Sequence, residues 1–128
     1  MIKTLNQYRT MVGMLWVGAL AALVVPARAQ SDNWQTLTPQ TDCTARHEAA
    51  LTVLHGKLYL LGGRGIKPVE EYDPGANTWR KLAPTPMEFH HFQAVVLNDQ
   101  IAVIGAMTGK YPYEQPLTNI WLFDPKKN

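Results

Sequence analysis

Beyond residue 45, apolar residues come in short runs of four to seven, separated by clusters of Gly, Pro, Asn and Asp. No long stretch keeps a helical period. The pattern predicts short strands joined by tight turns. Residues 49–54 and 57–61 flank a break at His55-Gly56. A third strand, 69–72, follows Gly62-Gly63-Arg64-Gly65, and a fourth, 78–82, follows Asp73-Pro74-Gly75. Connections this short predict an antiparallel meander of four strands.

The same pattern then returns. Ala94-Val95-Val96-Leu97 repeats Leu51-Thr52-Val53-Leu54, and Ile101-Ala102-Val103-Ile104-Gly105-Ala106 repeats Leu58-Tyr59-Leu60-Leu61-Gly62-Gly63, both at an offset of 43. Ile120-Trp121-Leu122-Phe123-Asp124-Pro125 repeats Val69-Glu70-Glu71-Tyr72-Asp73-Pro74 at an offset of 51, so the second copy carries eight extra residues between its second and third strands. Upstream, Trp34 stands as Trp79 does. Four short strands per unit, with a period in the forties, indicate propeller blades rather than a sandwich.

Arg46, the Gly62-Gly63 pair, Tyr72-Asp73 and Trp79 together resemble the Kelch repeat. The resemblance implies an all-β fold, a partial Kelch-type β-propeller with one full four-stranded blade and most of a second. The organisation expected is a leader at 1–29, a strand of a preceding blade around Trp34 with an interblade loop at 30–45, repeat one at 46–88 and an incomplete repeat two at 89–128. Repeat two departs from the pattern, with Phe89 at the Arg position and Ala106 at the second Gly. The glycines allow positive φ or close packing where the second strand ends. Trp and the aromatic fill the wedge between sheets. A ring of this kind needs about four to eight blades, so the sequence is expected to be part of a larger propeller. Assembly of several chains into one ring, or closure of the Trp34 strand onto the second blade, are the alternatives.

The N-terminus changes the reading of charge. Lys3 and Arg9 precede an uncharged apolar run at 11–25, followed by Pro26 and Ala27-Arg28-Ala29. This is the pattern of a cleaved signal peptide and is short for a membrane span. The protein is therefore expected to be exported, to the periplasm or the medium, with no membrane association after cleavage. Of the 12 Lys+Arg, three leave with the leader, so nine face ten acids in the mature chain. No basic stripe remains to bind nucleic acid. Cys43 is the single cysteine, so no disulfide framework supports the core.

In an up-and-down blade, the loop between strands two and three shares a face with the loops joining blades. Arg46, His47, Glu48, Arg64, Lys67, Glu88, His90, His91, Tyr111, Tyr113 and Glu114 are thereby expected on one rim, the candidate ligand-binding surface. Tyr111 and Tyr113 sit between prolines in the insert and could stack on a sugar or anchor a protein. Arg46 could grip a carboxylate or pin a loop. His47 and His90 are equivalent positions in the two copies, with His91 adjacent. These three are weak metal candidates, because their spacing matches no compact metal motif. No catalytic residues and no cofactor are assigned. Some exported Kelch-like proteins resemble copper-radical sugar oxidases, which need a Tyr–Cys link and a Tyr-His pair; neither is present. The reading is a binding module for a protein or glycan, with self-association to complete a ring as a further possibility. The alternative is part of a carbohydrate-active enzyme, a sugar-ring isomerase or oxidase.

Overall fold

The computed structural model describes residues 33–127; the expected leader at 1–29 lies outside them. The described chain is all-β apart from a 3-10 turn at Pro125–Lys127. The first sheet is the expected meander, with β1 (Ala49–Leu54), β2 (Lys57–Gly62), β3 (Pro68–Asp73) and β4 (Thr78–Pro84) in sequence order. All neighbours are antiparallel. The second sheet contains β5 (Gln93–Leu97), β6 (Gln100–Ile104) and β9 (Trp121–Phe123) in the order β5-β6-β9. Between β6 and β9 the insert forms a two-stranded ribbon, β7 (Met107–Thr108) with β8 (Gln115–Pro116).

The repeat read from sequence is a repeat of pairing. Leu58 opposes Tyr72 and Leu60 opposes Glu70; their counterparts Ile101 and Val103 oppose Phe123 and Trp121. The hairpins of both copies turn on two residues of positive φ, His55-Gly56 and Asn98-Asp99. Such turns follow the right-handed twist of the strands they join.

Because side chains alternate along a strand, each sheet has two faces. Ala50, Leu54, Tyr59, Leu61 and Val69 of the first sheet pack against Ala94, Ile101 and Val103 of the second, with Leu82, Phe89 and Ala106 completing the core. The opposite faces carry exposed apolar residues. Leu51 and Val53 lie on one side, and Val95, Leu97, Ile104 and Leu122 on the other. A sheet that is apolar on both faces is built to stand between two others, as blades do.

The strand expected at Trp34 does not form. A strand needs a partner in its own sheet, and the described residues offer none there. The segment that follows lies along β4 and β3 instead. Gln40 N donates to Asn77 O at 2.9 Å, and Thr41 Oγ1 accepts from Trp79 N at 2.7 Å.

The Gly pair behaves as expected. Gly62 has φ +73, and a Cβ there would lie 2.6 Å from Phe89 O; at Gly63, φ +103, it would lie 2.9 Å from His47 O. Gly63 N donates to Phe89 O at 2.7 Å, which ties the end of β2 to the start of the second blade.

Candidate functional site

The rim is built from the loop before β1, the β2–β3 loop, the loop before β5, and the insert. Arg64 is its hub. Its Nε approaches Glu48 Oε2 at 2.5 Å, its Nη1 donates to Gly109 O at 2.8 Å, and its Nη2 pairs with Glu114. One side chain therefore joins the first blade, its leading loop and the insert of the second. The two carboxylates raise the Arg64 pKa, Glu114 most and Glu48 next.

Glu88 is the backbone clasp of the same rim. It accepts from Gly65 N, and from Gly109 N at 3.1 Å. The Gly65 amide, then the Gly109 amide with His90 and Arg64, outweigh burial and hold its carboxyl below the usual value. At Glu48 burial pushes the carboxyl up, but Arg64, His91 and His47 together more than offset it, and the net shift is downward.

His90 is fully buried and His91 is half exposed. Their Nδ1 atoms face one another at 2.8 Å, with the rings edge to face. Glu48 Oε2 lies 3.6 Å from His91 Nδ1 and 3.9 Å from His90 Nδ1. Glu48, His90, His91 and Glu114 each offer one donor atom, and these atoms all lie within 4.8 Å of one another. Among the described residues, this is the group able to hold a metal ion. His47 is not in that group; its side chain points outward, 3.6 Å from Glu48.

Arg46 is drawn away from the surface. Its side chain is 2% exposed and forms an ion pair with the fully buried Glu70. It also donates to Gly62 O at 3.1 Å and to Thr44 O at 3.2 Å. Thr44 adds its own N–H and hydroxyl to Glu70, both at 2.9 Å. Of the two readings open for Arg46, the geometry is that of loop pinning.

Tyr111 and Tyr113 stand at the tip of the insert, 82% and 83% exposed. The tip is closed by Tyr113 N donating to Lys110 O at 2.7 Å, and its base by the β7–β8 ribbon. His90 N and Met107 N exchange hydrogen bonds with each other's carbonyls at 2.9 and 2.8 Å, so the ribbon continues onto the histidine segment.

The rim thus gathers His47, Glu48, Arg64, His90, His91, Tyr111 and Tyr113, and leaves Arg46 inside. Two contributions were not anticipated. One is the Gly109 backbone, which serves Arg64, Glu88 and His90 at once. The other is Glu70, the buried partner of Arg46. The Glu70-Glu71 pair in a short strand was the available signal, since consecutive acids in a strand buried on both faces each require a cation or donor.

The Kelch motif family matches residues 45–86, the first blade. Kelch-like protein 33 of Homo sapiens is 33% identical over 99 residues, which cover 74% of this chain and 18% of that protein. Kelch-like protein 35 of Mus musculus is 28% identical over 96 residues, 71% of this chain and 16% of that protein. Kelch-like protein 23 of Pongo abelii is 40% identical over 77 residues, 59% of this chain and 13% of that protein. The chain thus spans less than a fifth of the length of these curated relatives. With the motif, the relatives and the two repeated antiparallel sheets in agreement, the chain belongs to the Kelch-repeat family.

Proposed function

We propose that the protein is an exported Kelch-repeat binding module that engages a partner through the interblade rim, with the insert tip as its anchor. The carrying observation is the pair of tyrosines, 82% and 83% exposed, on a loop held at its base by the Arg64–Glu114 ion pair. A large aromatic side chain on a rigid support loses little entropy on binding and buries much area. A protein surface is the preferred partner, because Glu114, next to Tyr113 in the chain, pairs with Arg64, and these charges can set register. A glycan is the other partner chemistry that tyrosine faces can serve.

Pull-down from the native source and a glycan array, each run with wild type and with Tyr111→Ala/Tyr113→Ala, test the reading. Loss of capture by roughly thirtyfold or more, as for aromatic hot spots, is expected in one of the two assays. Capture unchanged in both would remove the rim tip as the anchor.

Export rests on the basic start, the apolar run at 11–25 and Ala27-Arg28-Ala29. N-terminal sequencing of the protein recovered outside the cytoplasm should begin at Gln30; an intact Met1 on cytoplasmic protein would contradict it. The exposed apolar outer faces support cover by further blades, whether from a longer chain or from other copies. Light scattering of the purified chain distinguishes a monomer from a ring assembled of copies.

A further inference from the structure

The base of the rim brings two imidazoles and two carboxylates together, and Arg64 is the cation that now pairs with the carboxylates. His90 Nε2 lies 3.1 Å from Gly109 O, 3.3 Å from Arg64 Nη1 and 3.4 Å from Glu88 Oε1. In a neutral imidazole one nitrogen carries the proton and the other a lone pair. In the tautomer that donates from Nε2 to Gly109 O, Nδ1 presents its lone pair toward His91 Nδ1, 2.8 Å away. Glu48 Oε2 completes a triangle with these two nitrogens, at 3.9 and 3.6 Å. That oxygen is buried and accepts no hydrogen bond of good geometry, although Arg64 Nε lies close by.

These dimensions select a ligand class. The point equidistant from the three atoms lies about 2.0 Å from each, which is the length of a zinc–nitrogen or zinc–oxygen bond. Glu114 adds a fourth donor within the same span. Two imidazoles with carboxylates suit zinc and its first-row neighbours, whereas calcium and magnesium prefer all-oxygen shells. The outer nitrogen of His90 meets a carboxylate and a backbone carbonyl, the usual partners behind a ligating histidine. Glu48 and His91 occupy equivalent places 43 residues apart, and both hold left-handed backbone, φ 57 and 51.

We propose that Glu48, His90, His91 and Glu114 form a site for a divalent first-row transition ion such as zinc, shared by both blades and the insert. Arg64 is the competing cation that balances the two carboxylates, and it withdraws from Glu48 when the ion enters.

Calorimetric titration of the chelator-treated full chain with Zn²⁺, and visible absorption with Co²⁺ as spectroscopic stand-in, read the site directly. One ion per chain is expected. His91→Ala and Glu48→Gln should each weaken it by at least roughly tenfold, and Glu88→Gln, behind His90, by about ten- to a hundredfold. Arg64→Ala should tighten it. His55→Ala, in the β1–β2 hairpin, and Tyr111→Ala/Tyr113→Ala should leave it unchanged, which separates this site from the partner-binding tip. His91 is 46% exposed and Glu48→Gln keeps the side-chain shape, so both variants retain the fold even where a change at buried His90 does not. No uptake at micromolar free zinc overturns the proposal. So does uptake that survives both His91→Ala and Glu48→Gln, since the ion then sits elsewhere.

Discussion

The same three positions open the two blades, and the blades use them differently. The first has Arg46-His47-Glu48 and the second Phe89-His90-His91, 43 residues on. Arg46 is buried against Glu70. Phe89 is equally buried, and its ring lies 5.5 Å from that of Trp121. Trp121 is the counterpart of Glu70, since each opposes the matching residue of its second strand, Val103 and Leu60. One blade therefore ties its leading loop to its third strand with an ion pair, and the other with two aromatic rings. The apparent departure of Phe89 from the repeat pattern is half of a matched exchange. The lesson is that the repeat conserves a coupling between two positions rather than the chemistry of either.

The sharpest way to break this equivalence is to remove one member of the buried ion pair. Arg46→Ala leaves Glu70 buried without its cation, and Glu70→Ala strands Arg46; each should cost about 3–5 kcal/mol in denaturant melts. The exchange itself sharpens the comparison. Arg46→Phe with Glu70→Trp imports the second blade's solution and should be milder than either single change, because apolar replacement of a buried pair is often near neutral. The Thr44 amide and hydroxyl lose their acceptor, so recovery should be partial. A double variant less stable than both singles would show that the two couplings are not interchangeable.

The glycines give a second, smaller contrast. Gly62 and Gly105 are equivalent and share a left-handed backbone, φ +73 and +66. A Cβ on Gly62 meets Phe89 O and the Phe92 ring at 2.6 Å, whereas one on Gly105 meets nothing within 4 Å. Gly105→Ala should cost roughly 1–2 kcal/mol of backbone strain alone. Gly62→Ala adds a clash with backbone that belongs to the second blade and should cost more. Equal losses in thermal melts would mean that the interblade contact yields freely.

Most of this architecture is legible in the residues. The runs at 49–54, 57–61 and 69–72 match β1, β2 and β3 to within a residue or so, because each run is bounded by turn residues with positive φ or by Gly and Pro. The rim is legible because strand order alone puts its loops at one end of the sheets. What the pattern hides is which partner each charge takes. Arg46 and Arg64 both stand next to loops in the sequence, yet Arg46 is enclosed and Arg64 bridges the two blades, and only the packing of Glu70 and Glu114 separates them. The β7–β8 ribbon was also hidden, since a pair of two-residue strands carries no alternation to read. The strand expected at Trp34 failed for the opposite reason. Its composition was right, but pairing is a property of neighbours.

The smallest contrast concerns one equivalent sheet face, which turns toward the second blade in the first copy and outward in the second. The first blade places Lys57, Tyr59, Glu71 and Arg80 together there, where the second has Gln100, Ala102 and Leu122 at the first three positions. Burial pushes the Glu71 carboxyl up, but Lys57, Arg80 and Tyr59 outweigh it and leave it below its usual value. Burial and the Glu71 hydrogen bond together raise the Tyr59 phenol to about 12. The signs follow from linkage. Stability from Glu71 is complete above the ordinary carboxylate range and is lost as pH falls through its lowered value. Stability from Tyr59 is complete below about pH 10, the ordinary phenol value, and is lost as pH rises from there toward about 12. Tyr59→Phe deletes a 2.8 Å hydrogen bond to a carboxylate that keeps Lys57 and Arg80, so at neutral pH the cost should be only about 1 kcal/mol. At about pH 11 the gap between variant and wild type should narrow, because the unfolded wild-type chain then gains from ionising its phenol. Melts at both pH values check this. A gap that stays constant would show that the Tyr59 hydroxyl is not the group whose ionisation separates the alkaline behaviour of the first blade from that of the second.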